Sequence, residues 1–231
     1  MSIILAIETS SELASAALLR NGVVISRESL GVQTHSQTIL PLVQGLLHEA
    51  GISLAQCDAI AFGCGPGSFT GVRTACGIVQ GLGFGANLPL ISIVTLQAMA
   101  EACRKACGAT DVLTILDARM GEVYWAQYRY TNGWQIVIEP TLSTAADVNP
   151  QGTVTACGNG LTAYAAAFQS RSFAAGGLTH VMPHAEQVAL LAQTALSAGK
   201  TMAARDAQPL YLRNKVALTT AERKLKAEGI I

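Results

Sequence analysis

Chemistry in this 231-residue chain would have to come from a few short stretches. The segment Gly63-Cys64-Gly65-Pro66-Gly67-Ser68-Phe69-Thr70-Gly71 has the composition of a phosphate-cradling loop. Its spacing does not fit one. A Walker loop needs glycine five residues past the first and then lysine, but Thr70 lies five past Gly65 and the segment has no lysine. A dinucleotide fingerprint starting at Gly63 needs glycine where Ser68 stands, and a nucleophile elbow centred on Ser68 needs glycines where Pro66 and Thr70 stand. The segment therefore reads as a tight strand-to-helix turn, with Ser68 or Thr70 capping the helix. Glu8 closes an apolar run and is followed by Thr9, Ser10 and Ser11. An acid so placed can position a metal-bound water while turn amides and hydroxyls hold phosphate oxygens. Locally, the plainer reading is a polar turn that Glu8 and Thr9 organise.

Other reactive side chains form no recognisable site. Asp117, Arg119 and Glu122 crowd a short turn beside Tyr124 and Trp125, which reads as a salt-bridged turn before it reads as a catalytic pair. The cysteines at 57, 64, 76, 103, 107 and 157 contain no Cys-x-x-Cys pair, and the histidines at 35, 48, 180 and 184 do not complete a zinc set. Reduced, mostly buried thiols and no metal ligands are expected. No histidine stands in a protease signature, and His35 beside Ser36 reads as part of a helix cap. No residue is assigned a catalytic role.

The elements that would position these residues follow from apolar patterning. Ile3–Ile7, Ala14–Leu19 and Val23–Leu30 are short strands, the last two joined by the hairpin signal Asn21-Gly22. A helix over Ser36–Ala50 places Ile39, Leu42, Val43, Leu46 and Leu47 on one broad face. A strand at Ile60–Phe62, a helix from Thr70 to Gly85, a strand at Leu90–Val94 and a helix to about Lys105 follow. The order then restarts: a strand at Val112–Leu116 ending in Asp117, a turn, a strand at Glu122–Tyr130, the hairpin signal Asn132-Gly133 and a strand at Trp134–Glu139. A strand near Val154–Cys157 and helices over Leu161–Phe168 and Ala185–Ala198 complete it. A repeated meander of this kind predicts two related α/β lobes.

Gly77, Gly81 and Gly85 recur four apart on one face of the second helix. Each costs about 1 kcal/mol of helix stability against alanine, so the series needs a reason. A smooth face lets another helix approach, from within the chain or from another subunit. Composition favours the subunit: only 13% of residues are charged and 50% are hydrophobic, against about 25% charged in ordinary soluble domains. The interface is therefore expected on this helix together with Ser36–Ala50. Fifteen basic and fifteen acidic residues give no net charge, which argues against a stand-alone binder of polyanions. Thr74–Ala100 carries no charge but is broken by Pro89, Asn87, Gln80 and four glycines, so no span of about 20 apolar residues exists. Ile3–Ile7 is too short for a secretory signal, and a cytoplasmic location without membrane contact is expected.

The blocks ILAIETS (3–9), HSQTILPLVQ (35–44), GPGSFTGVRTACGIVQGL (65–82), DARMGEVYWA (117–126) and PLYLRN (209–214) together resemble the TsaB family of tRNA threonylcarbamoyladenosine biosynthesis proteins, a glycoprotease-like group. The resemblance implies an α/β fold of two actin-like ATPase (ribonuclease H-like) lobes, each a β-meander with flanking helices: 1–108, a reduced second lobe at 109–212, and a charged tail at 213–231. It also implies a relationship to TsaD, the catalytic paralogue, which carries a metal-binding His-x-x-x-His pattern. Aligned from Pro89, those histidines fall on Thr95 and Met99. A hydroxyl and a thioether do not replace two imidazoles on a transition metal.

The reading this supports is a non-catalytic scaffold that binds and stabilises TsaD, through Ile39, Leu42, Val43, Leu46, Leu47, Gly77, Gly81 and Gly85. The resemblance further implies a TsaE-type ATPase in the complex, tRNA reached through the complex, and a homodimer when the chain is alone. No cofactor is expected on the chain by itself. ATP or ADP would enter only in the assembly, with Glu8 and Thr9 as a vestigial nucleotide contact. The alternatives are an independent ATP-dependent enzyme, kinase-like or metallopeptidase-like, working in the interlobe cleft, or an interaction module with no tRNA role.

Overall fold

A computed structural model describes residues 2–30 and 35–213. The chain opens with an antiparallel meander, β1 (Ile3–Glu8), β2 (Leu13–Arg20) and β3 (Val23–Leu30). Asn21 and Gly22 turn its second hairpin with φ of 54° and 79°, the left-handed pair that an Asn-Gly hairpin demands. Helix α1 (His35–Glu49) leads to β4 (Ala59–Gly65), α2 (Phe69–Ala86), β5 (Leu90–Val94) and α3 (Thr95–Cys107). β4 lies parallel to β1 and β5 parallel to β4, so the first sheet runs β3-β2-β1-β4-β5.

The second sheet repeats the first in miniature. β6 (Asp111–Arg119), β7 (Glu122–Tyr130) and β8 (Trp134–Thr144) form a meander, and β9 (Thr155–Cys157) adds parallel to β6. The order β8-β7-β6-β9 matches β3-β2-β1-β4 strand for strand. This is the two-lobed architecture expected from the repeated meander. Two single-turn helices, α4 (Gly160–Ala163) and α5 (Ala165–Phe168), follow where one helix over Leu161–Phe168 was expected; the chain breaks at Tyr164 between them. Helix α6 (Ala185–Ser197) comes last.

Central strand β1 shows why the first lobe has three layers. Alternate residues point to opposite faces: Leu5 and Ile7 join the core with Ile39, Val43, Leu46 and Val79 of α1 and α2, while Ile4 and Ala6 join Ala98 of α3 and Val188, Ala189 and Ala192 of α6. Alanines at 6, 17, 59 and 61 keep that second face shallow, so the alanine-rich side of α6 seats against it. Two sequence expectations change here. Segment 109–212 divides between the sheets, because α6 covers the first and not the second. Ile39, Val43 and Leu46 are fully enclosed against the first sheet, with Leu42 and Leu47 packed beside them. They hold the fold and offer nothing to a partner.

Among the described residues no helix is long and apolar enough to cross a membrane. Of the charged tail expected at 213–231, all but Arg213 lies outside the described residues.

The core assignment of α1 predicts a sharp contrast in stability. Leu46→Ala should cost about 2–5 kcal/mol, as truncation of an enclosed leucine does, while Leu40→Ala on the same helix's open side should stay within about 0.5 kcal/mol of wild type. Urea unfolding of the two variants measures both.

Candidate functional site

The two candidate turns meet at the top of the first sheet. β1 delivers Glu8, fully enclosed, to its end. Its Oε1 accepts the Ser10 backbone N–H at 2.6 Å, and its Oε2 accepts the Thr95 hydroxyl at 3.2 Å. Thr95 Oγ1 in turn accepts the Gly65 N–H at 3.1 Å. Burial pushes the Glu8 carboxyl above its ordinary range, opposed by the hydrogen bonds from Ser10 and Thr95. Thr9 is equally enclosed, its hydroxyl donating to the Gly71 carbonyl at 2.7 Å, and the Ser68 N–H donates to Ser10 O at 2.7 Å.

This seating explains the glycine-rich segment. A Cβ on Gly63 would sit 1.7 Å from Glu8 Oε2, one on Gly67 2.6 Å from Ser10, and one on Gly71 1.9 Å from the Thr9 carbonyl. The glycines make room for the β1–β2 turn, and no phosphate loop is involved. Ser68 caps α2, accepting from the Gly71 N–H at 3.4 Å. Glu8 and Thr9, the expected nucleotide remnant, are bonded internally and turned away from solvent.

The two positions that the resemblance aligns with metal-binding histidines are both occupied structurally. Thr95 ties Glu8 to Gly65, and Met99 lies in the core between α3 and the second sheet. Gly158 accommodates it: a Cβ there would come 2.7 Å from Met99 Cε. Among the described residues no three His, Cys, Asp or Glu side chains are grouped to hold a metal ion. The six cysteines are free thiols, all buried except Cys107. Burial and the neighbouring Glu8 push the Cys64 thiol up to about 12.

Between the lobes lies a cleft of about 270 Å³, walled by Ser11, Glu12 and Ser68 on one side and Asp117, Arg119 and Asn159 on the other. Its charges pair among themselves. Arg119 reaches Asp117 at 3.1 Å and Glu12 at 3.4 Å, and the Tyr164 hydroxyl donates to Asp117 at 2.9 Å. The turn at 117–122 is thus salt-bridged, as its sequence indicated. Arg213, expected as the first residue of the charged tail and part of the PLYLRN block, instead bonds the Glu122 carboxylate at 2.5 Å and closes the cleft's rim.

The outer face of α2 is open. A Cβ on Gly77, Gly81 or Gly85 would meet nothing within 4 Å, so none of the described elements needs these glycines. Phe84, between two of them, is 85% exposed. The glycine series therefore has no explanation among the described elements, and of the expected contact residues these three are exposed while Leu42 and Leu47 are half-buried.

A family model described as "TsaD: tRNA N6-adenosine threonylcarbamoyltransferase" matches residues 24–228. The chain is 41% identical to the tRNA threonylcarbamoyladenosine biosynthesis protein TsaB of Escherichia coli, over 93% of this chain and 96% of that one. It is 38% identical to TsaB of Haemophilus influenzae, over 92% and 94%. The chain belongs to the TsaB family. A crystallised YeaZ from Pseudomonas aeruginosa superimposes with a TM-score of 0.85 at 37% identity, covering 92% of this chain and all of that one. A second Pseudomonas aeruginosa structure, described as an uncharacterized protein similar to peptidase YeaZ, gives 0.87 at 36% identity with the same coverage. TsaB membership and the two-sheet fold agree.

The raised pKa of Glu8 has a thermodynamic sign. The native state holds the proton to higher pH than the unfolded chain, so this group's contribution is fully present below the ordinary value of 4.5 and is lost as pH rises through the native value. Glu8→Gln keeps an acceptor for the Ser10 N–H and removes the charge. Its stability should therefore gain on wild type as pH is raised from 4.5 to neutrality, measured by urea midpoints. Parallel curves for the two proteins would remove Glu8 as the titrating group.

Proposed function

We propose that this chain is a non-catalytic subunit of the assembly that attaches threonylcarbamoyl to a tRNA adenosine, and that it acts by binding and stabilising a TsaD-type catalytic paralogue. TsaB proteins belong to tRNA threonylcarbamoyladenosine biosynthesis. The observation that carries the finer reading is the use of Thr95 and Met99. One is a hydrogen-bonded cross-link and the other a packed core side chain, so the region aligned with the paralogue's metal centre serves this chain's own fold. The charges of the interlobe cleft are likewise satisfied by one another.

The docking surface is the outer face of α2, flanked by α1 on the same side of the sheet. Ile39, Val43 and Leu46 drop out of it, since they face inward. Gly77, Gly81 and Gly85 let a partner helix approach the α2 backbone, and Phe84 supplies an apolar anchor at its end. Without the paralogue the same face pairs with its own copy about a two-fold axis. A TsaE-type ATPase joins the complex in the cytoplasm, tRNA is reached through the assembly, and ATP or ADP is bound only there.

Reconstitution tests this. Threonylcarbamoyl transfer to tRNA should require both this chain and TsaD, with none from this chain alone; transfer by the isolated chain would overturn the reading. Gly81→Leu should weaken TsaD binding more than tenfold by calorimetry. Because its Cβ meets open space, the same variant should melt at or slightly above the wild-type temperature, having removed a helix penalty of about 1 kcal/mol. Unchanged binding would move the interface off α2.

A further inference from the structure

Residues 207–213 run as a strap from α2 across to the β6–β7 turn. At its start the Ala207 carbonyl accepts Gln80 Nε2 at 3.0 Å and Cys76 Sγ at 3.5 Å, both from α2. The Leu210 N–H donates to Cys64 O of β4 at 2.7 Å. Arg73 Nε donates to the Tyr211 hydroxyl at 2.7 Å, and the rings of Tyr211 and Phe69 stand 5.9 Å apart. The strap then changes sides. Leu212 packs on the core between α3 and the second sheet. Arg213 Nη2 donates to Ala118 O at 3.0 Å and to the Glu122 carboxylate.

The turn it grips is held in an unfavourable conformation. Arg119, Met120 and Gly121 have φ of 63°, 58° and 82°; Met120-Gly121 fills the two turn positions that Asn21-Gly22 fills in the β2–β3 hairpin, and Arg119 is a further left-handed residue at the register shift before them. Large side chains adopt this conformation only where their surroundings enforce it. Arg213 bonds the carbonyl of Ala118, just before the left-handed run 119–121, and the carboxylate of Glu122, just after it, and the Asp117 side chain accepts the Arg119 N–H at 2.8 Å. The same conformation aims Arg119 at Glu12 across the cleft. The turn is therefore held in a strained conformation by bonds from the strap and from Asp117.

We infer that the strap couples α2 to the interlobe cleft: displacement of α2 is carried through Gln80, Arg73 and residues 207–213 to the β6–β7 turn, which makes or releases the Arg119–Glu12 contact across the lobes. That docking on the outer face of α2 is the event that drives it rests on the function proposed above; the mechanical link does not.

Hydrogen–deuterium exchange separates the two. In the isolated chain, Arg213→Gln should speed exchange of the amides at 118–122 by tenfold or more. Gln80→Leu, on α2 and remote from the turn, should do the same while β1 amides keep wild-type rates. If Gln80→Leu also speeds β1, the fold has loosened, and Arg73→Ala, which frees Tyr211 from the surface side, is read in its place. Fast turn exchange in Arg213→Gln alone would make Arg213 a local clamp and overturn the coupling, as would wild-type rates in both variants. Added TsaD should slow the turn in wild type and not in Arg213→Gln. TsaD that binds without changing the turn overturns docking as the driver, and TsaD that fails to bind overturns the docking surface while leaving the comparison in the isolated chain to stand.

Discussion

The whole first lobe turns on how closely the β1–β2 turn is pressed against the β4–α2 loop. Glycines at 63, 67 and 71 are the condition for it, since each replaces a side chain that would overlap Glu8, Ser10 or Thr9. From that contact follows the enclosure of Glu8, the anchoring of α3 through Thr95, and the starting point of α2 at the Ser68 cap. A carboxylate with no exposure is expensive to maintain unless its lone pairs are filled. Here one oxygen is bonded to the turn that follows β1 and the other to the helix that follows β5, so the desolvated group cross-links separate elements.

Two glycine series on neighbouring segments thus do opposite things. The first, 63-67-71, is consumed by packing inside the chain. The second, 77-81-85, has the same four-residue spacing and faces open space. No described element accounts for the second series, since alanine at any of the three would strengthen the helix without meeting a described neighbour. Among the described residues, the face they define also leaves a large aromatic, Phe84, almost bare. These observations are independent of one another and point to the same surface.

Much of this was legible in advance, and the failures have a common cause. Strand positions, the Asn-Gly hairpin and the duplicated meander rest on local patterning, and the structure has them. The internal role of Gly63, Gly67 and Gly71 was legible only as a tight turn, because the residues that exclude a Cβ lie more than fifty positions upstream. Periodicity correctly put Ile39, Val43 and Leu46 on one face of α1 but could not say whether a sheet or a subunit covers it; the burial in the first sheet decides that. α6 was legible as a helix but not by its contacts, since its alanine-rich face, which packs on the first sheet, names no partner. The strap at 207–213 has no periodicity at all, being bonded at Ala207 and Tyr211 to α2, at Leu210 to β4 and at Arg213 to the β6–β7 turn.

The cleft between the lobes is lined by charges that pair with one another. Arg119 is shared between Asp117 and Glu12, one carboxylate on each lobe. A ligand entering between them must displace ion pairs that are exposed and therefore individually weak. The barrier lies in the backbone instead: Arg119 reaches both partners only from a left-handed turn, and the turn is left-handed where Arg213 and Asp117 bond on either side of it. Weak pairs are thus made persistent by a conformation fixed elsewhere, in a segment whose other end is fastened to α2. The strap is itself part of the cleft wall, since Leu210, Tyr211, Leu212 and Arg213 line it.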